Sequence, residues 1–428
     1  MTLSNFLTFS FILFGLLCIA RAQYVIHVDA LIGIDIQTCG NVSYPCHTIR
    51  YAVDLAFGAN YPAGSDINIQ INATAGPYAE PPNTFVTIPP AAILQTPALI
   101  NITGDDLHKA VIDCKGEEGW TIKGFSGLMT FRGLEFRNCT SNAANDGNGG
   151  CVFFQDTQLT RPDSDAHRFE HVQFDHCVAT ANGGAVYISS STRIDLVDVS
   201  FTNNEVLGTG VDLASGGAAY IEITAADKPI FYERGYVRNN FVHGSGNMQL
   251  FGAGLYIRAG VNIQNVSTLE MLSVEFTGNE LDIAGTNDST FGGGMYLADF
   301  GGEFIDVTMD GNVAEYGGGI FFSAHNQFLD LCSETISIVN NKGWGLYVIL
   351  GEARTWEEKM TGNLPDANRA TYPGVISECR VPPPITPEKK SNKTGIIVAI
   401  FVVLLAVAIG VAISGYYFYK KRVAYRTV

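Results

Sequence analysis

The chain has 428 residues, 46% of them hydrophobic and only 16% charged, and 42 acidic against 26 basic residues give a net charge of −16. A surface of that sign repels nucleic acid and anionic lipid, which excludes both as partners of the bulk of the protein. The 46 glycines argue against helical repeats, because an interior glycine costs a helix about 1 kcal/mol.

Residues 1–22 run apolar from Phe6 to Ile19 and close on Ala20-Arg21-Ala22, the small-x-small pattern cut by signal peptidase, although no basic residue precedes the run. The mature chain is expected to begin at Gln23, in the secretory pathway. From there to Thr394 the chain carries 21 basic and 42 acidic residues, a net charge of −21. Cys18 leaves with the leader, and the eight remaining cysteines are expected to form disulfides in an oxidising compartment. Cys39 and Cys46 close a short loop around Gly40 and Pro45 and are an expected pair. Cys332 and Cys379 flank the end of the repeats and are placed to staple it. Cys114, Cys139, Cys151 and Cys177 are left without an assigned pairing, and no spacing is that of a zinc site. Sequons at Asn41, Asn72, Asn101, Asn138, Asn265, Asn287 and Asn392 predict a glycosylated exterior.

Ile49, Ala52, Val53 and Ala56 share one helical face, so residues 47–57 are expected to form a helix that caps the first strand layer. Beyond about residue 130 the chain repeats. A hexad of two or three small residues and then three apolar ones occurs seven times, first as Gly149-Gly150-Cys151-Val152-Phe153-Phe154, then from Gly183, Gly216, Gly252, Gly292, Gly317 and Gly343. Upstream of each, an apolar residue is followed three positions later by Cys or Asn: Phe136 with Cys139, Phe174 with Cys177, Phe201 with Asn204, Val237 with Asn240, Phe276 with Asn279, Met309 with Asn312 and Ile338 with Asn341. The segment between the two motifs varies in length, as a surface turn would.

One short strand per motif cannot bury itself, but strands stacked about 4.8 Å apart pair every backbone group with the repeat above and below. The expected fold is therefore all-β: a right-handed, single-stranded parallel β-helix (solenoid) ectodomain over residues 23–380 with an N-terminal capping helix, plus one C-terminal transmembrane α-helix. The repeated Asn is expected to form an amide ladder along the stack. The pairing of Phe-x-x-Asn with Gly-Gly-Ala-Val/Ile resembles the repeats of the chlamydial polymorphic outer membrane proteins, over residues 130–350. That resemblance implies a β-helical surface protein used in adhesion, although those proteins end in a membrane β-barrel. The segments Tyr24–Asp29, Thr38-Cys39-Gly40 and Pro45-Cys46-His47-Thr48-Ile49 are similar to the entry segment of pectin-lyase-like β-helix proteins.

Enzymes on that fold need clustered carboxylates for calcium and a nearby Arg or Lys as base. Gly104-Asp105-Asp106 matches one polygalacturonase element, but the Asn-Thr-Asp, Gly-His-Gly and Arg-x-Lys elements are missing. The sequence assigns no catalytic residue, no metal site and no cofactor. The fifth hexad position offers a different candidate, since it alternates with the aliphatic fourth and sixth and reads Phe153, Tyr187, Tyr220, Tyr256, Tyr296, Phe321 and Tyr347. Exposed, Tyr187, Tyr220, Tyr256, Tyr296 and Tyr347 form a platform for a glycan or a cell-surface protein. Covered by the variable turns, the row is a structural ladder.

After the repeats, Val381-Pro382-Pro383-Pro384 opens an extended stalk over residues 381–394. Residues 395–419 carry no charge and are long enough to span a bilayer, and Lys420, Lys421 and Arg422 follow at once, which orients the tail to the cytosol. The tail, residues 420–428, ends in Tyr425-Arg426-Thr427-Val428, which resembles the tails of lysosome-associated membrane glycoproteins and implies reading of Tyr425 and Val428 by clathrin adaptors. The function expected is adhesion or ligand capture, carbohydrate included, by a single-pass type I surface glycoprotein. The alternatives are a luminal coat of endolysosomal membranes and a polysaccharide lyase or hydrolase.

Overall fold

The computed structural model describes residues 23–350, apart from 59–60, 63, 85, 89–97, 105–107, 142–144, 157–161, 163, 210–212, 245–247, 261–266, 284–288, 325–330 and 344. The leader, stalk, apolar span and tail expected from the sequence lie outside the described residues. Among the described residues no helix is long and apolar enough to cross a membrane.

The chain is all-β with parallel sheets. Each repeat contributes a strand to each of several sheets, and each strand pairs with its counterparts one repeat earlier and later. One series runs Leu128–Arg132, Ala166–Glu170, Arg193–Val197 and then the first halves of Ile230–Arg238, Ser267–Thr277, Phe300–Asp310 and Leu331–Val339. A second runs Leu134–Arg137, Gln173–Asp175, Ser200–Thr202 and then the second halves of those long strands. The hexads build a third: Val152–Asp156, Val186–Ser190, Ala219–Ile223, Leu255–Ala259, Met295–Ala298, Ile320–Ala324 and Leu346–Leu350. Register is conserved from repeat to repeat, so Val152, Val186, Ala219, Leu255, Met295 and Ile320 stand in one column, buried to 1% exposure or less.

The corners are local backbone decisions. Between the first and second series, His171, Asp198, Arg234, Ser273 and Asp306 all take left-handed φ of 51–55°. Before the ladder position, Asn138, His176, Asn203, Asn239 and Asn340 do the same, and Gly278 and Gly311 replace Asn where φ reaches 63° and 66°. The second hexad glycine answers to a different need. A Cβ at Gly184 would lie 1.9 Å from the carbonyl oxygen of Gly217, so the rungs close here only without a side chain.

The expected amide ladder is present. Nδ2 of Asn204, Asn240, Asn279 and Asn312 donates to Oδ1 of the next Asn at 2.9, 2.8, 2.8 and 3.0 Å, ending on Asn341. The same Nδ2 atoms donate to main-chain carbonyls, as Asn240 does to Phe201 at 3.2 Å, and each ladder N–H donates to the next Oδ1. Asn204, Asn240, Asn279 and Asn312 are completely buried. In the two earlier repeats the position belongs to Cys139 and Cys177, which bond to Cys114 and Cys151, so covalent links stand where the ladder has not begun. Inside, Phe136, Phe174 and Phe201 stack at 5.4 and 5.2 Å, each worth about 1.5–3 kcal/mol of apolar burial.

At the first strand, Gln23–Val28, the segment 29–47 folds back across the edge and the Cys39–Cys46 disulfide closes it. The helix spans Ile49–Phe57, two residues shorter at its start than expected because Thr48 serves as its N-cap, accepting from the Tyr51 N–H. Ile49, Ala52, Val53, Ala56 and Phe57 are its buried face.

Asn240→Ala is expected to cost about 3 kcal/mol in denaturant unfolding, since it strands several buried polar groups. Asn239→Gly, at the exposed left-handed position beside it, is expected to be near neutral.

Candidate ligand-binding face

The fourth and sixth hexad positions are core, as expected; of the fifth, Tyr187, Tyr256 and Tyr296 are half-buried, while Phe153, Tyr220 and Phe321 are buried at 5%, 7% and 2% exposure. Register then puts ring on ring. Phe153–Tyr187, Tyr187–Tyr220, Tyr220–Tyr256, Tyr256–Tyr296 and Tyr296–Phe321 stack at 5.0, 4.8, 4.9, 5.1 and 5.0 Å with interplanar angles of 2–14°. Tyr347 follows Phe321 in register. The ring faces are thus spent on one another, and what solvent meets of the described row is the uncovered part of Tyr187, Tyr256 and Tyr296. Burial raises the hydroxyls of Tyr187 and Tyr256 to about 12 and that of Tyr220 further, so all are neutral donors at physiological pH.

A second column, missed in the sequence, flanks the first. The residue preceding each hexad is also in register: Asn182 Nδ2 donates to Asn148 Oδ1 at 2.9 Å and Ser215 Oγ to Asn182 Oδ1 at 2.6 Å. The column then turns aromatic, with Phe251–Phe291 and Phe291–Tyr316 stacked at 5.3 and 5.5 Å. Phe251 meets Tyr296 edge-on at 5.0 Å, and Phe291 meets Phe321 at 5.1 Å. Phe251 and Phe291 come from the variable segment, whose strands Leu213–Ser215, Gln249–Phe251 and Ser289–Phe291 pair with one another above a satellite core of Val206, Val242, Met248, Leu250 and Leu281. The variable part is therefore a built flank, and the signal for it was the aromatic immediately before Gly252, Gly292 and Gly317.

On the other side of the tyrosines lie polar groups. Arg258 Nε donates to Glu222 Oε1 at 2.9 Å, its guanidinium lies 5.7 Å from the Tyr220 ring centre, and it hydrogen-bonds Tyr256. Ser323 bonds Tyr296, and Lys123 Nζ lies 5.0 Å over Phe153.

The first strand series carries an outward column of its own: Arg168, Asp195, Phe231, Glu270 and Glu303. Arg168 and Arg193 neutralise Asp195 at 3.4 and 2.6 Å, but Glu270 and Glu303 are register partners of like charge. Burial and the Glu303 charge raise the Glu270 carboxyl to about 7, against the pull of Arg193. The folded state therefore keeps a proton that the unfolded chain releases near pH 4.5, so this contribution to stability is full below about pH 4.5 and lost as pH rises through about 7. Glu270→Gln is expected to raise the unfolding temperature at pH 7.5 and leave it unchanged at pH 4.5.

Of the other sites read from the sequence, Cys39–Cys46 forms at an S–S distance of 2.04 Å, while Cys332 is in the strand Leu331–Val339 and Cys379 lies outside the described residues. Asn41 is exposed in its loop, Asn101 sits within the strand Leu99–Thr103, and Asn138 is exposed at a left-handed corner with Nδ2 given to Asp113 Oδ1 at 3.0 Å. Asn265, Asn287, Asn392, Asp105, Asp106, Tyr425 and Val428 lie outside the described residues. No protein-family model, curated protein or solved structure matches this chain.

Proposed function

We propose that the chain is a single-pass type I surface glycoprotein whose parallel sheets close into a right-handed β-helix, and whose tyrosine face captures a polyhydroxylated ligand, carbohydrate first. The observation that carries this reading is the register-locked line of phenol hydroxyls beside the Glu222–Arg258 pair. Because the ring faces are already stacked, capture works through hydrogen bonds from hydroxyl edges rather than through sugar–ring stacking. A linear polymer is favoured, since donors repeat at the strand spacing along the face. Only the membrane span, a ligand and a clathrin adaptor at Tyr425 and Val428 are needed as partners.

On a glycan array, the full-length chain is expected to retain selected glycans and to lose them when Tyr187, Tyr220, Tyr256 and Tyr296 are all changed to Phe. Phe keeps the stack and deletes only the hydroxyls; undiminished binding by that variant would sink the reading. Secretion also predicts sequon use. Asn41 is exposed and accepts at Oδ1 from the N–H groups of Ser43 and Tyr44, whereas Asn72 gives Nδ2 to Asp29 Oδ2 at 2.7 Å. Glycopeptide mass spectrometry is expected to find Asn41 occupied and Asn72 bare.

A second reading, a coat on the luminal side of endolysosomal membranes, is favoured by one observation: the Glu270–Glu303 pair adds stability in acid rather than at neutral pH. Acid-dependent delivery of the intact chain to that compartment, seen by imaging a tagged full-length protein, separates it from residence at the cell surface.

A further inference from the structure

Most of the large apolar side chains left exposed lie in the first strand and the segment folded back over it: Val25, Leu31, Ile32, Ile34, Ile36, Val42 and Tyr44, against only Leu207 and Leu213 elsewhere among the described residues. Beneath part of that crown is a pocket of about 250 Å³. His27 and Gln70 are register partners on adjacent strands and stand side by side at its wall. The returning segment is pinned above them by His27 N–H to the Gly40 carbonyl, Cys46 N–H to the His27 carbonyl and Asp29 N–H to the Cys46 carbonyl, each at 2.8 Å. Asp29 sets the jaw, because its Oδ1 takes the N–H groups of Leu31 and Ile32 at 2.8 and 3.1 Å while Oδ2 takes Asn72. Ile32 and Val42, at 68% and 74% exposure, line the pocket together with Pro45.

The polar groups have one sign. Burial acts to raise the Asp29 carboxyl, but the Asn72 amide and the Leu31 and Ile32 N–H groups hold it below the usual carboxylate range, so it is ionised at neutral pH. Among the described residues no Lys or Arg lines the pocket. Neither the His27 ring nor the Gln70 amide has a hydrogen-bond partner among the described residues, so both keep acceptors for a ligand. The volume lies below the roughly 300 Å³ at which drug-sized ligand sites begin, which calls for a short chain.

We propose that this pocket binds a primary alkylammonium group, its methylenes against Ile32, Val42 and Pro45 and its ammonium against Asp29 and the acceptors of His27 and Gln70. The site is separate from the tyrosine face and stands or falls independently of it. A free amine and a lysine side chain carry the same chemistry, so both are probes.

The test is calorimetric titration of the full-length chain in zwitterionic nanodiscs, with empty nanodiscs as blank, against hexylammonium, Nα-acetyl-lysine methylamide and hexanoate. Saturable binding of either amine is expected, with hexanoate weaker by about tenfold or more. The tighter of the two amines identifies the source. Ile32→Ser, an exposed change that leaves the unfolding midpoint in place, is expected to weaken the amine by several-fold, and Asp29→Asn by about tenfold or more. No saturable amine binding, hexanoate binding as tightly as the amine, or an Ile32→Ser variant that folds and binds unchanged would each overturn the proposal.

Discussion

Everything in this structure depends on in-register parallel pairing of equivalent strands. Once the backbone of one repeat is hydrogen-bonded to the next without slip, each side chain lies over its counterpart at the strand spacing, and every position becomes a column. A column is stable only if its residue type tolerates its own company. Asparagine does, because its amide is donor and acceptor at once, and the ladder from Asn204 to Asn341 satisfies buried groups that no solvent reaches. Aromatic rings do, by offset stacking. Carboxylates do not, and the one place where two of them meet in register on the first strand series, Glu270 and Glu303, is where a titration is moved by burial and like charge.

The same constraint explains where the chain spends covalent bonds. Cys139 and Cys177 occupy ladder positions, and Cys177 passes its N–H to Asn204 Oδ1 at 3.0 Å, so the disulfides and the amide ladder form one continuous seam. A disulfide holds its seam without needing a neighbour of the same kind, which an amide does need. At Gln23–Val28, the first described strand, Gly40 and Cys46 are the backbone partners of His27 and Asp29 on the edge away from Asp66–Ile71.

Stacking also sets what the outer face offers a ligand. A tyrosine whose two ring faces are covered by neighbours is rigid, and its hydroxyl position is fixed to the register of the sheet. In the proposed capture, such a line of donors suits a repeating polar ligand better than a single flat ring. The flank supplied by Phe251, Phe291 and Tyr316 closes one side and leaves the Glu222–Arg258 side open to polar contact.

Sequence by itself determined the features that are local or periodic. The hexad fixed which residues face inward, because alternation along a strand has period two; Asn three residues after an apolar position announced the amide seam; Ile49, Ala52, Val53 and Ala56 on one face announced the helix, though not its start at Thr48. The Cys39–Cys46 loop was legible because its ends are close along the chain. What only the tertiary structure decided is what lies across a column or between repeats: the pairing of Cys114 with Cys139 and of Cys151 with Cys177, the mutual stacking that turns tyrosine faces away from solvent, the second column before each hexad, the Glu270–Glu303 pair and the pocket under Ile32 and Val42. These depend on register between segments 25 to 40 residues apart and on where a returning segment lands. Register is set by the summed backbone pairing of the whole stack, which no single repeat contains.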